Sequence, residues 1–246
     1  MDVYGFNDMK KLGIIGGLGP MATAYFMQRI IELTDAASDQ ENIEMVVYNC
    51  PSIPDRTGYI LGRNKENPLP KILELAHELE RQNVDYIAIP CITAHYFHPD
   101  IAKAVFVPVG NGIKETAEYL VSAGVKKVGI MATDGTVQMH LFDSVFKDFD
   151  IQCVYPDVEC QKLVMSIIYD DVKAGRKVNM EEFYTVKEQL FEAGAEVIIL
   201  GCTELSILKR DYEVGPRVLD IIDVLAADCV NKCAVARPEC QNLITK

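Results

Sequence analysis

The sequence predicts an α/β protein built as two similar halves, each a parallel sheet covered by helices, with a ligand cleft between them. Three observations carry that prediction. Short β-branched runs alternate with segments of helical period, the pattern of parallel strands joined by crossover helices. The second half of the chain repeats the first. Two of the matched runs end on the same pair of residue types, cysteine and threonine. With 246 residues, the chain is long enough to bury cores in both halves.

Taken in order, the first run is LGIIGG at 12–17, followed by a glycine turn, GGLGPMATAYF, that opens a helical segment over 21–35. Pro20 suits the first turn of that helix because its missing N–H has no partner there. EMVVYN (44–49) predicts a second strand, and the proline-punctuated CPSIPDRTGYILGR (50–63) predicts a loop above the strand ends. In 70–82, Ile72, Leu73, Leu75, Ala76 and Leu79 form one face, opposite Lys71, Glu74, Glu78 and Arg81. DYIAIP (85–90), KVGIMA (127–132) and EVIILG (196–201) predict further strands, separated by helical segments over 112–124 and 161–175. The last apolar stretch, 217–230, predicts a helix with Val218, Leu219, Ile222 and Leu225 on its packed face. The expected division is a first domain over 1–110 and a second over 111–216, with the helix of 217–235 returning to the first.

The repeat has two anchors. KKLGIIGG at 10–17 matches KKVGIMAT at 126–133, an offset of 116 residues. DYIAIPCITAH at 85–95 matches EVIILGCTELS at 196–206, an offset of 111. Duplicated sheets of this kind bring their carboxyl ends to a shared cleft, where such sheets bind ligands.

Composition excludes several classes of function. Apolar residues make up 49% and charged residues 24%, an ordinary globular balance. A net charge of −12 argues against nucleic acid or an anionic membrane as partner, since both need a dense basic surface. No apolar run approaches the roughly 20 residues of a membrane span. MDVYGFNDMKK lacks the layout of a signal peptide, so a cytoplasmic protein is expected. The eight cysteines contain no CxxC and are expected to be reduced; Cys229, Cys233 and Cys240 have no nearby histidine and predict no metal site.

Cys91 and Cys202 end matched strands, so they should face each other across the cleft. A free thiol has a pKa of about 8.5 and becomes a useful base where donors or a helix N-terminus stabilise its anion. Two thiols on opposite sides of one carbon suit proton removal on one face and delivery on the other, which inverts a stereocentre. The competing reading is that both are core cysteines. Gly17, Gly19 and Ala22 fit a dinucleotide spacing, but the next strand has no acidic residue at its end to hold a ribose. The amides around Gly17 and Leu18 better suit a small carboxylate. Arg56 is the candidate carboxylate clamp, because guanidinium grips a carboxylate with two N–H groups. His95 and Glu204 hold corresponding places beyond the two cysteines. Lys173 closes a helix, with dipole compensation as the alternative role. Thr133 and Thr136 offer hydroxyls at the opening of the second half.

Together these pieces resemble the cofactor-independent aspartate/glutamate racemase family. GIIGGLGPMAT, SIPDRT, PCITAH, IYDDVKAG and LGCTELSIL carry the resemblance, which extends from Lys10 to about Val230. It implies two similar α/β domains with the active site between them. It further implies Cys91 and Cys202 as the acid/base pair, Arg56 and Lys173 as partners of the substrate carboxylates, and Thr93, Thr136 and Thr203 at the amino-acid head group. Aspartate is the first expected substrate and glutamate the second, with no pyridoxal phosphate, no metal, and a homodimer as the expected assembly. Two positions depart from the pattern. Ile92 stands where the family usually has asparagine, and Leu225 stands where it often has histidine. Two alternatives remain open on these residues: isomerisation of another small carboxylic acid, and a non-catalytic metabolite-binding relative.

Overall fold

A computed structural model describes residues 10–246. In the first half, strand β1 (Leu12–Gly16) lies between β2 (Met45–Asn49) and β3 (Tyr86–Ala88), all parallel. In the second half, β4 (Lys127–Met131) lies between β5 (Gln152–Val154) and β6 (Val197–Leu200), and β7 (Val218–Asp220) pairs with the outer side of β6. The first sheet has its own counterpart of β7. Ile87 forms a parallel bridge to Val109, with the Ile87 amide donating to Pro108 O at 2.9 Å and Gly110 N to Ile87 O at 2.8 Å. The repeat in the sequence is therefore a repeat of strand order.

Period-two alternation assigns each strand's faces. Leu12, Ile14, Val128, Ile130, Val197 and Ile199 enter one continuous core to which both sheets contribute. Helices α1 (Pro20–Leu33), α5 (Gly112–Ser122), α7 (Leu141–Phe146) and α11 (Ile221–Cys233) supply the rest of it. Ile15 and Ile87 face a separate core under α3 (Leu69–Arg81) and α4 (His98–Ala104). Met131, Ile198 and Leu200 face a third, under α8 (Val158–Met165) and α9 (Met180–Glu192). Glycine holds the matched place in both opening strands, Gly13 and Gly129, for the same reason. A Cβ on Gly13 would lie 3.0 Å from Leu79 of α3, and one on Gly129 would lie 3.0 Å from Leu190 of α9, so each helix packs directly on bare backbone.

One sequence expectation is corrected. The apolar stretch over 217–230 is not a single helix, because Val218 and Leu219 belong to β7 and the helix starts at Ile221. A short apolar run suits a buried strand as well as a helix, and here the open edge of β6 takes it. Asp220 makes the turn sharp by accepting a hydrogen bond from Ile222 N at 2.9 Å. Helix α11 packs against α1 and β3 of the first half and against α5. Among the described residues no helix is long and apolar enough to cross a membrane.

Candidate active site

β3 and β6 stop at equivalent places, and each hands the chain to a cysteine that caps a helix. Cys91 precedes a 3-10 helix, Ile92–Phe97, and Cys202 precedes α10 (Thr203–Asp211). Neither thiol bonds to the first amides of its helix, so both sulfurs are left for other partners. Cys91, Thr93, Cys202 and Thr203 all line one small cavity between the halves. Its volume is about 10 Å³, at most one water molecule. An outer pocket of about 490 Å³ lies against it, and Leu18, Asp55, Arg56, Lys173 and Glu204 border both. The inner space thus admits no more than a water as it stands, and it adjoins the outer pocket through these shared residues.

Arg56 opens the short helix α2 (Arg56–Ile60), whose N-cap Asp55 accepts from Gly58 N at 2.5 Å. The guanidinium is buried and fixed by three carbonyls: Nη1 donates to Ile53 O at 3.4 Å and Pro54 O at 3.1 Å, and Nη2 to Leu18 O at 3.1 Å. Its Nε–H is buried with no partner among the described residues. Burial alone would lower its pKa, but the neighbouring Cys91 sulfur holds it above the ordinary value. An immobilised cation with an unused donor beside a thiol suits an incoming carboxylate.

Lys173 follows a π-helical turn, Ser166–Val172, of the kind often found at functional sites. That turn places Tyr169 beneath it, with Nζ 3.9 Å from the ring centroid. The side chain stays exposed at the mouth of the site. Crowding by protein atoms works against its charge, but Glu204 and Cys202 outweigh this and raise its pKa.

The second cysteine sits in a different field. Cys202 Sγ donates to Glu204 Oε2 at 2.9 Å, and Thr203 Oγ1 donates to the same oxygen at 3.1 Å. Burial, then the Glu204 charge, push the Cys202 thiol well above its usual range, with Lys173 opposing.

His95 takes no part beside the sulfur. Its Nε2 accepts from Gly112 N at 3.0 Å, so the proton is on Nδ1, which donates to Cys91 O at 3.1 Å. Burial, followed by the nearby His98, lowers its pKa to about 4, and it ties Cys91 to the start of α5 as a neutral ring.

The hydroxyls form a cluster sealed between the halves. Thr93 Oγ1 lies 3.0 Å from Thr133 Oγ1 and 3.2 Å from Thr136 Oγ1, and Thr57 Oγ1 lies 3.3 Å from Thr133. Thr133 lines the inner cavity; Thr136 is fully buried behind it. Gly17 lies in the outer pocket, and its amide already donates to Thr23 Oγ1 at 2.9 Å. Its φ of +88° and the Cys50 backbone, 2.4 Å from any added Cβ, require glycine there. Leu18 borders both spaces and meets Arg56 through its carbonyl. Thr57 and Tyr169 went unremarked in the sequence. Thr57 follows Arg56 directly, and Tyr169 stands one helical turn before Lys173, a spacing that could have revealed it.

A family model described as Asp/Glu/Hydantoin racemase matches residues 15–229. The chain belongs to that family. Membership makes it an isomerase of the racemase class, on the two-sheet fold these proteins share. Among curated relatives, the broad specificity amino-acid racemase RacX of Bacillus subtilis is 26% identical over 226 residues, covering 89% of this chain and 96% of its own. Among solved structures, Picrophilus torridus aspartate racemase superposes with a TM-score of 0.79 at 30% identity, covering 95% of this chain and 98% of its own. An aspartate racemase homologue from Pyrococcus horikoshii gives 0.73 at 26% identity, with 91% and 98% covered.

Proposed function

We propose that the protein racemises an acidic α-amino acid, aspartate first and glutamate next, by a two-base reaction of Cys91 and Cys202 that uses no cofactor. One observation carries the reading: two thiols from matched strand ends line the same closed cavity, with the cations Arg56 and Lys173 on its border. A substrate bridging those cations sets its α-carbon between the sulfurs. A thiolate on one side removes the α-proton, and the thiol on the other returns a proton to the opposite face. Negative charge then spreads from the α-carbon into the α-carboxylate, where the fixed guanidinium of Arg56 stabilises it as it develops. Lys173 answers the side-chain carboxylate, so the pair favours a dicarboxylic substrate over a neutral one. Burial of the Arg56 guanidinium strengthens its interaction.

The test is incubation with L-aspartate and, separately, L-glutamate in heavy water. Deuterium at the α-carbon together with the D-enantiomer is the expected result; absence of both for both amino acids rejects the reading. A homodimer in the cytoplasm belongs to the same proposal, and sedimentation velocity reads the assembly.

A further inference from the structure

We infer that Glu204 is the proton carrier of Cys202, linking that buried sulfur to the outer pocket, while Cys91 has no such partner among the described residues. The inference rests on the racemase reading above and adds a catalytic group to one side of it.

The geometry places the two carboxylate oxygens in different roles. Oε2 receives the Cys202 thiol at 2.9 Å and the Thr203 hydroxyl at 3.1 Å. Oε1 makes no hydrogen bond among the described residues and faces the glycine loop, where a Cβ on Gly19 would stand 3.5 Å away. Glu204 borders both the inner cavity and the outer pocket, as does Lys173. A proton can therefore pass from sulfur to Oε2 and leave from Oε1. On the other side, His95, four residues past Cys91, is turned away, with both ring nitrogens committed to backbone groups.

The proton balance closes for both enantiomers. For one, Cys91 enters as thiolate and takes the α-proton, and the Cys202 thiol delivers its own to the opposite face. That leaves Cys91 as a thiol and a Cys202 thiolate beside a carboxylate. Once product leaves, Cys91 yields its gained proton to water entering the site, and Glu204 passes one from the outer pocket to Cys202. The cycle therefore gains and loses no proton. For the other enantiomer, Cys91 first takes a proton from that water, and Glu204 accepts the Cys202 proton. The thiolate then takes the α-proton, and the Cys91 thiol supplies the second face. Glu204 releases its proton to the outer pocket to reset the site. A racemase has equal kcat/KM for the two enantiomers, because their equilibrium constant is one, so the carrier shows itself in kcat and in its pH dependence.

Glu204→Gln and Glu204→Asp test this, each with thermal unfolding as the folding control. Without substrate, iodoacetamide labelling of Cys91 and Cys202 is followed against pH by peptide mass spectrometry. In Glu204→Gln, labelling of Cys202 should begin at least one pH unit lower than in the unchanged protein, with Cys91 unaltered. With substrate, kcat should fall about 100-fold, the usual scale of a lost acid/base group, and Glu204→Asp should recover part of it. An unchanged Cys202 labelling profile, or a loss confined to KM with kcat intact, overturns the assignment. Because labelling needs no substrate, it reads the Glu204 contact even if the acidic amino acids prove to be the wrong substrates.

Discussion

The two cysteine sides of the site descend from one repeated motif, yet they differ in almost every neighbour. Cys91 has a fixed guanidinium beside its sulfur and a neutral histidine beneath its backbone. Cys202 has a carboxylate on its sulfur and a lysine beyond it. Equal positions in the fold have thus become unequal electrostatic environments. The site that the repeat builds therefore lacks the mirror symmetry of its two matched strand ends.

The strongest test of that comparison removes the sulfurs one at a time. Cys91→Ala and Cys202→Ala should each lower racemisation at least about 1000-fold in a chiral chromatographic assay, since neither side can supply both protons. Appreciable racemisation in either variant would mean that one face suffices. A smaller effect separates the cations. Arg56→Lys loses the planar fork and should lower kcat/KM about 100-fold. Lys173→Met should mainly raise KM, about 10- to 100-fold for a dicarboxylate, and change little for a neutral amino acid. Equal losses on both substrate types would remove Lys173 from side-chain recognition.

The histidine side carries a pH signature. His95 is neutral when folded, with its pKa lowered to about 4, whereas the unfolded chain takes up a proton near pH 6.5. Stability from this group is complete above pH 6.5 and declines by about 3 kcal/mol as pH falls toward 4. His95→Gln keeps a donor and an acceptor and should flatten that decline, as read by urea unfolding at pH 5 and 7.5. The smallest effect concerns Ile92, the residue that separates cysteine from threonine in the first motif and is missing from the second. It is almost fully buried in the shared core, and Cδ1 lies 3.5 Å from where a Gly112 Cβ would stand. Ile92→Asn should cost about 2 kcal/mol in urea unfolding through an amide placed among apolar neighbours. A variant that is less stable but gains activity would show that an amide at this position aids the head group.

Much of this was legible in the sequence because it depends on period and spacing. The matched KKLGII and KKVGIM runs announced the two sheets, and the matched cysteines announced where their ends meet. The β7 strand was hidden because Val218 and Leu219 suit a helix face equally well until an open sheet edge is known. The roles of Glu204 and His95 were not readable for another reason. Both stand just past their cysteines, and only side-chain direction separates the one that reaches a sulfur from the one that turns to the backbone. The four-threonine cluster likewise depends on which hydroxyls meet across the halves, which no linear pattern records.

The core to which both sheets contribute has a consequence for how such a chain can arise and fold. A chain ending near residue 110 would expose the inner faces of β1 and α1, and one beginning there would leave α11 with α5 but without α1 and β3. Either fragment would be sticky rather than independent. Joining the two halves in one chain makes the meeting of those apolar faces intramolecular. Unfolding should accordingly occur as one cooperative transition, with the cleft and its two sulfurs lost at the same moment as the core that holds them.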